Sequence, residues 1–155
     1  MQSFKIIKPI HILTPYVRYY WILEDGADVS VSERTLPTGC IQLVFHRGKR
    51  LLLVGKKESQ PQAFICGQCL NFSDVMSAGK IEMITVVFQP YAARAILQLP
   101  LKFFYGELIA VDAIADLELS ILSRKVIEAD DHETCIRLIE LFLIHRIYRF
   151  EGYEY

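Results

Sequence analysis

The sequence has no surplus of positive charge. It carries 17 basic and 18 acidic side chains, a formal net charge of −1. A domain that grips a nucleic-acid backbone by itself usually needs a basic surplus, because phosphate contacts supply most of the affinity. Direct DNA binding by these residues is not expected. The sequence also has no run of 18 apolar residues free of charge, so no transmembrane helix is expected. The start, MQSFKIIKPIHIL, is broken by Lys5, Lys8, Pro9 and His11 before a signal-peptide core forms. These absences predict a soluble, cytoplasmic protein. Its four cysteines, Cys40, Cys66, Cys69 and Cys135, should then stay reduced.

Catalytic signatures are equally scarce. There is no Ser-His-Asp order, no Gly-rich phosphate loop and no carboxylate pair. The four histidines (11, 46, 132 and 145) stand singly, with no His-x-His pair of the kind that metal-dependent cupins carry. No enzyme activity, metal or cofactor is expected. Cys66-Gly67-Gln68-Cys69 is a Cys-x-x-Cys, but strand-like sequence flanks it on both sides. A redox pair would open a helix, and a zinc site would need about four ligands, with only Cys40 and His46 to add. Buried inert thiols are favoured over both.

What is present is a rich apolar composition: 52% hydrophobic, with 8 Tyr, 9 Phe and one Trp. In 155 residues this suits a single domain over 1–155 with a sizeable core. Short β-branched and aromatic segments dominate the first 90 residues. FKIIK at 4–8 reads as an edge strand, and VRYYWILE at 17–24 as a strand ending at Asp25-Gly26. Further strands are read at 29–36, 41–46, 51–54, 63–66 and 70–76, and then IEMITVVF at 81–88. Seven to eight such strands with turns between them favour a sandwich or barrel over βαβ units.

After Pro90 the pattern changes. Tyr91 to Leu97 predicts a short helix, and 101–105 another helical turn. From Asp112 a spacing of three and four (Leu119, Leu122, Val126, Ala129) marks a helix. Asp130-Asp131 ends it and caps the next, which runs to Tyr148. So short a turn predicts an antiparallel pair. The class is therefore α+β, with a β part over about 1–90 and a helical part over about 91–155.

The last helix is too apolar for one buried face. Ile136, Ile139, Phe142, Leu143 and Ile147 form one stripe, expected to pack on the β part. Leu138, Leu141, Ile144 and Tyr148 form another, expected to make a two-fold dimer contact. In the β part, Tyr19 and Trp21 share a strand face, and Arg34, Gln42 and His46 are placed at a barrel mouth. These five are the candidate ligand contacts. For Trp21 core packing is the favoured role, and for His46 a surface or hydrogen-bonded position is favoured over a ligand contact.

The order of features resembles the N-terminal domain of AraC-type bacterial transcription regulators. The residues that carry the likeness are Leu13 with Pro15-Tyr16-Val17, Tyr20-Trp21, and Leu36-Pro37-Thr38-Gly39 before Leu43-Val44-Phe45. They continue with Gly67, Val87-Phe88-Gln89-Pro90 with Ala92-Ala93, Leu99-Pro100-Leu101, and Val111-Asp112. The likeness spans nearly the whole chain, although Thr38 stands where the family pattern would have an acidic residue. It implies a cupin-like β-barrel that senses a small-molecule effector, followed by helices that make a homodimer. It also implies DNA binding through a helix-turn-helix part that this chain does not contain. The chain is then expected to be a piece of a longer regulator, with a stand-alone relative as the other option. Competing readings are an enzyme, either a thiol oxidoreductase using Cys66 and Cys69 or a cupin-type enzyme, and a purely structural dimerisation module.

Overall fold

The computed structural model describes residues 2–25, 41–50, 52–53, 59–67, 75–76, 80–99 and 108–150. Among these, six strands form one antiparallel sheet: β1 (Gln2–Ile7), β2 (Val17–Asp25), β3 (Gln42–His46), β5 (Ala63–Cys66), β7 (Ile81–Phe88) and β8 (Ile109–Ala110). Their order is β1-β2-β7-β3-β5-β8. Two more, β4 (Leu52–Leu53) and β6 (Val75–Met76), pair with each other. The helices are α1 (Ala92–Leu97), α2 (Leu117–Glu128) and α3 (His132–Phe150).

This is the expected α+β order with strands first and helices last. The six-stranded sheet differs from the expected barrel or sandwich: it runs from β1 at one edge to β8 at the other without closing. The predicted strand at 29–36 and the helical turn at 101–105 lie outside the described residues. The strand read at 70–76 is seen as Val75–Met76, and the one at 51–54 as Leu52–Leu53.

β7 is central because it is apolar on both faces, with every residue buried except Glu82. Such a strand has to be covered above and below. It pairs with β2 on one side and β3 on the other. Alternation along the strands then sorts the residues into two faces. One face presents Tyr20, Ile22, Leu43, Phe45, Ile65, Ile84, Val86 and Phe88 to the helices, where they join Ile96, Leu119, Leu122, Val126, Ile139, Leu143 and Ile147 in the larger core. The other face gathers Trp21, Leu23, Val44, Phe64, Met83 and Val87 in a second cluster. Gly48, in the turn after β3, sits tightly against β7. A Cβ there would meet the Lys80 carbonyl oxygen at 2.7 Å and the Glu82 nitrogen at 2.9 Å.

Both long helices carry aspartate caps. Asp116 Oδ1 accepts from the Leu119 amide at 3.1 Å, and Asp131 Oδ1 from the Thr134 amide at 2.7 Å. Each satisfies a donor that the first helical turn leaves without a partner. The pair is antiparallel, as its short turn predicts: Asp116 and Glu118 at the start of α2 bind Arg146 and Arg149 near the end of α3. At the other end, the Cys135 thiol donates to the Val126 carbonyl at 3.3 Å. α3 is also tied to the sheet midway along its length. Glu140 Oε2 accepts from the Tyr20 hydroxyl and from the Ile10 amide, each at 3.0 Å. Burial, with the Glu140 carboxylate beside it, pushes the Tyr20 pKa well above the usual phenol range.

Candidate functional site

The sheet face turned away from the helices brings together four of the five expected ligand contacts. Pairing lays them out in rows. Trp21 lies opposite Thr85, Thr85 opposite Val44, and Val44 opposite Phe64. One row along, Tyr19 pairs with Val87, Val87 with Gln42, and Gln42 with Cys66. On the other side, Leu23 pairs with Met83, and Met83 with His46. Trp21 is buried in the second cluster and Tyr19 packs against it, so Trp21 does serve as core packing. The Phe4 ring from the edge strand lies 5.7 Å from the Trp21 ring, and the Phe64 ring 5.8 Å from His46. Arg34, the fifth expected contact, lies outside the described residues.

Besides the half-buried Gln42, two polar side chains among the described residues of this face are wholly buried, His46 and Thr85. His46 has no exposed surface, so it is not a surface histidine. Its Nε2 lies 2.8 Å from Gln60 Oε1. An amide oxygen only accepts, so Nε2 carries the proton and Nδ1 presents a lone pair. Among the described residues that Nδ1 has no partner, and neither has the Thr85 hydroxyl. Burial, which outweighs the opposing Gln60 bond, and to a lesser degree the Arg50 charge lower the His46 pKa to about 4. The imidazole is therefore neutral at physiological pH. A buried polar atom without a partner costs about 1–3 kcal/mol. Two on one face mark a place where the fold carries polar groups that its own contacts do not use.

On the helix side of the sheet a charged cluster joins the two layers. The Arg47 Nε donates to Glu82 Oε2 at 2.7 Å, and its Nη1 reaches the Val126 carbonyl and the Cys135 sulfur. His132, in the first turn of α3, meets the same Glu82 oxygen at 2.7 Å and lies 3.7 Å from Glu24. Glu82 is held below the usual carboxylate range: burial opposes this, but the bonds and charges of Arg47 and His132 outweigh it. Glu24, Glu82 and His132 place ligand atoms within 4.8 Å of one another. The Arg47 guanidinium already sits on the oxygen a cation would need, so the cluster acts as an anchor between sheet and helices.

The expected dimer residues divide. Leu141 is 61% exposed and Tyr148 49% exposed. Leu138 and Ile144 are partly buried and pack against the domain's own core. Ile144 and Tyr148 also line an open groove of about 420 Å³ with Ile12, Leu13, Pro15 and Tyr16. The other stripe behaves as expected: Ile139, Leu143 and Ile147 are buried in the larger core, with Ile136 and Phe142 packed beside them.

Of the Cys-x-x-Cys pair, Cys66 ends β5 and its thiol lies 3.6 Å from the Gly67 carbonyl oxygen. Cys69 lies outside the described residues, as does Cys40. Cys135 is buried, and burial pushes its thiol pKa up.

Three residues of this arrangement escaped the sequence reading. Thr85 had a faint signal, as the lone hydroxyl in IEMITVVF. Arg47 follows the strand read at 41–46 beside Gly48, where nothing local shows that its guanidinium reaches the opposite face. Gln60 had no signal, since it falls in a polar stretch.

The sequence model of the family described as a domain of unknown function, DUF6597, matches residues 5–110. The chain belongs to this family. In this DUF6597 protein the matched region begins within β1 and ends with β8, so it spans the whole six-stranded sheet and stops short of α2 and α3. The second sheet face, with His46, Thr85 and Trp21, thus lies inside the family region, and the helix pair outside it. No curated protein and no solved structure matches the chain.

Proposed function

We propose that this DUF6597 protein is the sensing and dimerising domain of an AraC-type transcription regulator, with a cupin-like β part. A small-molecule effector binds on the second sheet face. The exposed side of α3, centred on Leu141 and Tyr148, makes a two-fold contact with a second copy. DNA is bound by a helix-turn-helix part that is not in this chain. Such a protein works in the cytoplasm and needs neither a cofactor nor a catalytic residue.

The observation that carries this reading is the pair of buried, unpartnered polar atoms, His46 Nδ1 and Thr85 Oγ1, set among aromatic and aliphatic side chains. Ligand sites are mostly apolar with a few placed polar groups. The alternative of a purely structural dimerisation module gives no reason to keep those two atoms unpaired. A thiol oxidoreductase is the weaker reading because strand-like sequence flanks the Cys66–Cys69 pair on both sides, where a redox pair would open a helix.

A thermal-shift screen of small molecules tests sensing, because a ligand that binds only the folded state raises the midpoint. Light scattering tests the dimer. A monomer that no compound stabilises would sink the reading, and a helix-turn-helix segment in the downstream reading frame would support it directly.

A further inference from the structure

We infer that the ligand of the second sheet face is an uncharged molecule with an apolar or aromatic body. It carries one group that both donates and accepts a hydrogen bond, held between His46 Nδ1 and Thr85 Oγ1. This rests on the sensing role proposed above and adds the chemical class.

The polarity of each anchor follows from its partners. Gln60 Oε1 occupies the His46 N–H, so Nδ1 is left as an acceptor and calls for a ligand donor. The Thr85 hydroxyl has no partner and supplies a donor to a ligand acceptor. The two residues are diagonal neighbours across the β3–β7 pair, because Val44 faces Thr85 and His46 faces Met83. Diagonal positions on one sheet face lie about 7 Å apart. A carboxamide or a phenol can bond at about 3 Å to each of two side chains that reach in from positions this far apart.

Charge is excluded by what surrounds the anchors. His46 and Thr85 are the two buried polar side chains of this face, and no buried Asp, Glu, Lys or Arg is described on it. An ion taken there would lose its water at a cost of several kcal/mol, and the nearest charge, Arg50, repels a cation and faces solvent, where its pull on an anion is screened. The neighbours that remain, Trp21, Phe64, Val44 and Met83, suit an aromatic or aliphatic body.

The test uses the full chain and five probes of similar size: benzamide, phenol, toluene, benzoate and benzylammonium. Melting midpoints and the 15N signal of the His46 Nδ1 are followed during titration. Benzamide and phenol should raise the midpoint and move the Nδ1 signal. Toluene should bind more weakly, and the two ions should do neither. Thr85→Val, which keeps the shape and removes the hydroxyl, should stay folded and weaken benzamide about tenfold, the loss of roughly one hydrogen bond. Unchanged benzamide affinity in Thr85→Val overturns the anchor. Tighter binding of benzoate or benzylammonium, with the Nδ1 signal moving, overturns the class and leaves sensing at this face intact. If no probe, neutral or charged, moves either signal, the class and the sensing role fail together.

Discussion

His46 and Arg47 are consecutive residues whose side chains act on opposite sides of the sheet. His46 ends β3 and is buried on the face away from the helices. Arg47 crosses to the helix side and binds Glu82, the Val126 carbonyl and Cys135. The alternation of strand side chains makes this possible within one peptide unit. The backbone there is fixed from both neighbouring strands. The His46 amide donates to Gln62 at 2.8 Å, and the Arg47 amide to Glu82 at 2.7 Å. A group bound at His46 and the helix pair held by Arg47 therefore share a single rigid joint. In the sensor proposed above, that joint would be the physical link between an effector at His46 and the helix pair.

Replacing Arg47 should loosen the helix pair from the sheet. Arg47→Met keeps much of the packing but leaves Glu82 facing His132 alone and the Val126 carbonyl short of a donor. Breaking a largely buried ion pair of this kind costs about 3 kcal/mol. Denaturant unfolding should show that loss, and amide exchange should speed up first around Val126 and Cys135. Arg47→Lys should not rescue it, since one ammonium cannot reach all three partners. A stability unchanged within about 0.5 kcal/mol would show that the cluster is not an anchor.

Acid should destabilise the domain through His46. Its folded pKa is lowered to about 4 from an ordinary value of 6.5. Between those values the unfolded chain binds the proton and the folded chain does not, so stability falls as pH falls. The contribution is complete above about pH 6.5 and is lost progressively down to about pH 4, on the order of 3 kcal/mol in all. Glu82, held below its ordinary value, adds a further loss at the acid end. Melting curves from pH 7 to pH 4 should show the slope in the native chain, and His46→Leu should flatten it. An equal slope in both would remove His46 as its source.

Much of this architecture was legible because periodicity reports burial. The β-branched run IEMITVVF was legible as a strand, but its central place, covered on both faces, comes only from the pairing with β2 and β3. The spacing of Leu119, Leu122 and Val126, and the Asp130-Asp131 break, gave the helix pair and its turn. The face shared by Tyr19, Trp21, Gln42 and His46 followed from alternation within each strand, but their meeting depended on strand order. β2 and β3 reach one another only through β7, a long-range pairing that no local pattern encodes. The open sheet was not foreseen, because strand count and turn spacing are the same for open and closed sheets. Arg47 and Gln60 were missed for a related reason: their partners lie in strands, helices and loops distant in sequence.

The dimer face should be separable from the core by choosing the right residues. Leu141 and Tyr148 are exposed, while Ile144 packs partly against the domain. Leu141→Glu with Tyr148→Glu should leave the chain folded, with the midpoint lowered by little more than the stabilisation that association supplied. It should convert a dimer to a monomer by light scattering. Ile144→Glu should destabilise the fold as well, by about 1–3 kcal/mol, because it places a charge against apolar neighbours. A double variant that still dimerises would move the interface elsewhere.

Asp116 serves two masters, and two substitutions should tell them apart. Its carboxylate caps α2 through the Leu119 amide and also holds Arg146 at 2.6 and 2.8 Å. Arg146 is buried, with its Nη1 on the Ile96 carbonyl at 3.0 Å and its guanidinium 4.7 Å from the Phe142 ring centre. Asp116→Asn keeps an oxygen for the cap but removes the charge facing a buried cation. Asp116→Ala removes both. Losing a cap costs about 1 kcal/mol; taking the nearer carboxylate from a buried cation costs about 3 kcal/mol at most, because Glu118 Oε1 stays 3.3 Å from Arg146 Nη2. Asp116→Asn should therefore account for most of the loss seen in Asp116→Ala by denaturant unfolding. Adding Arg146→Met to Asp116→Asn should recover stability, because no buried cation is then left relying on the half-exposed Glu118 alone. If the double variant is as weak as the sum of the singles, the pair contributes through packing and the electrostatic account of this end of the helix pair is wrong.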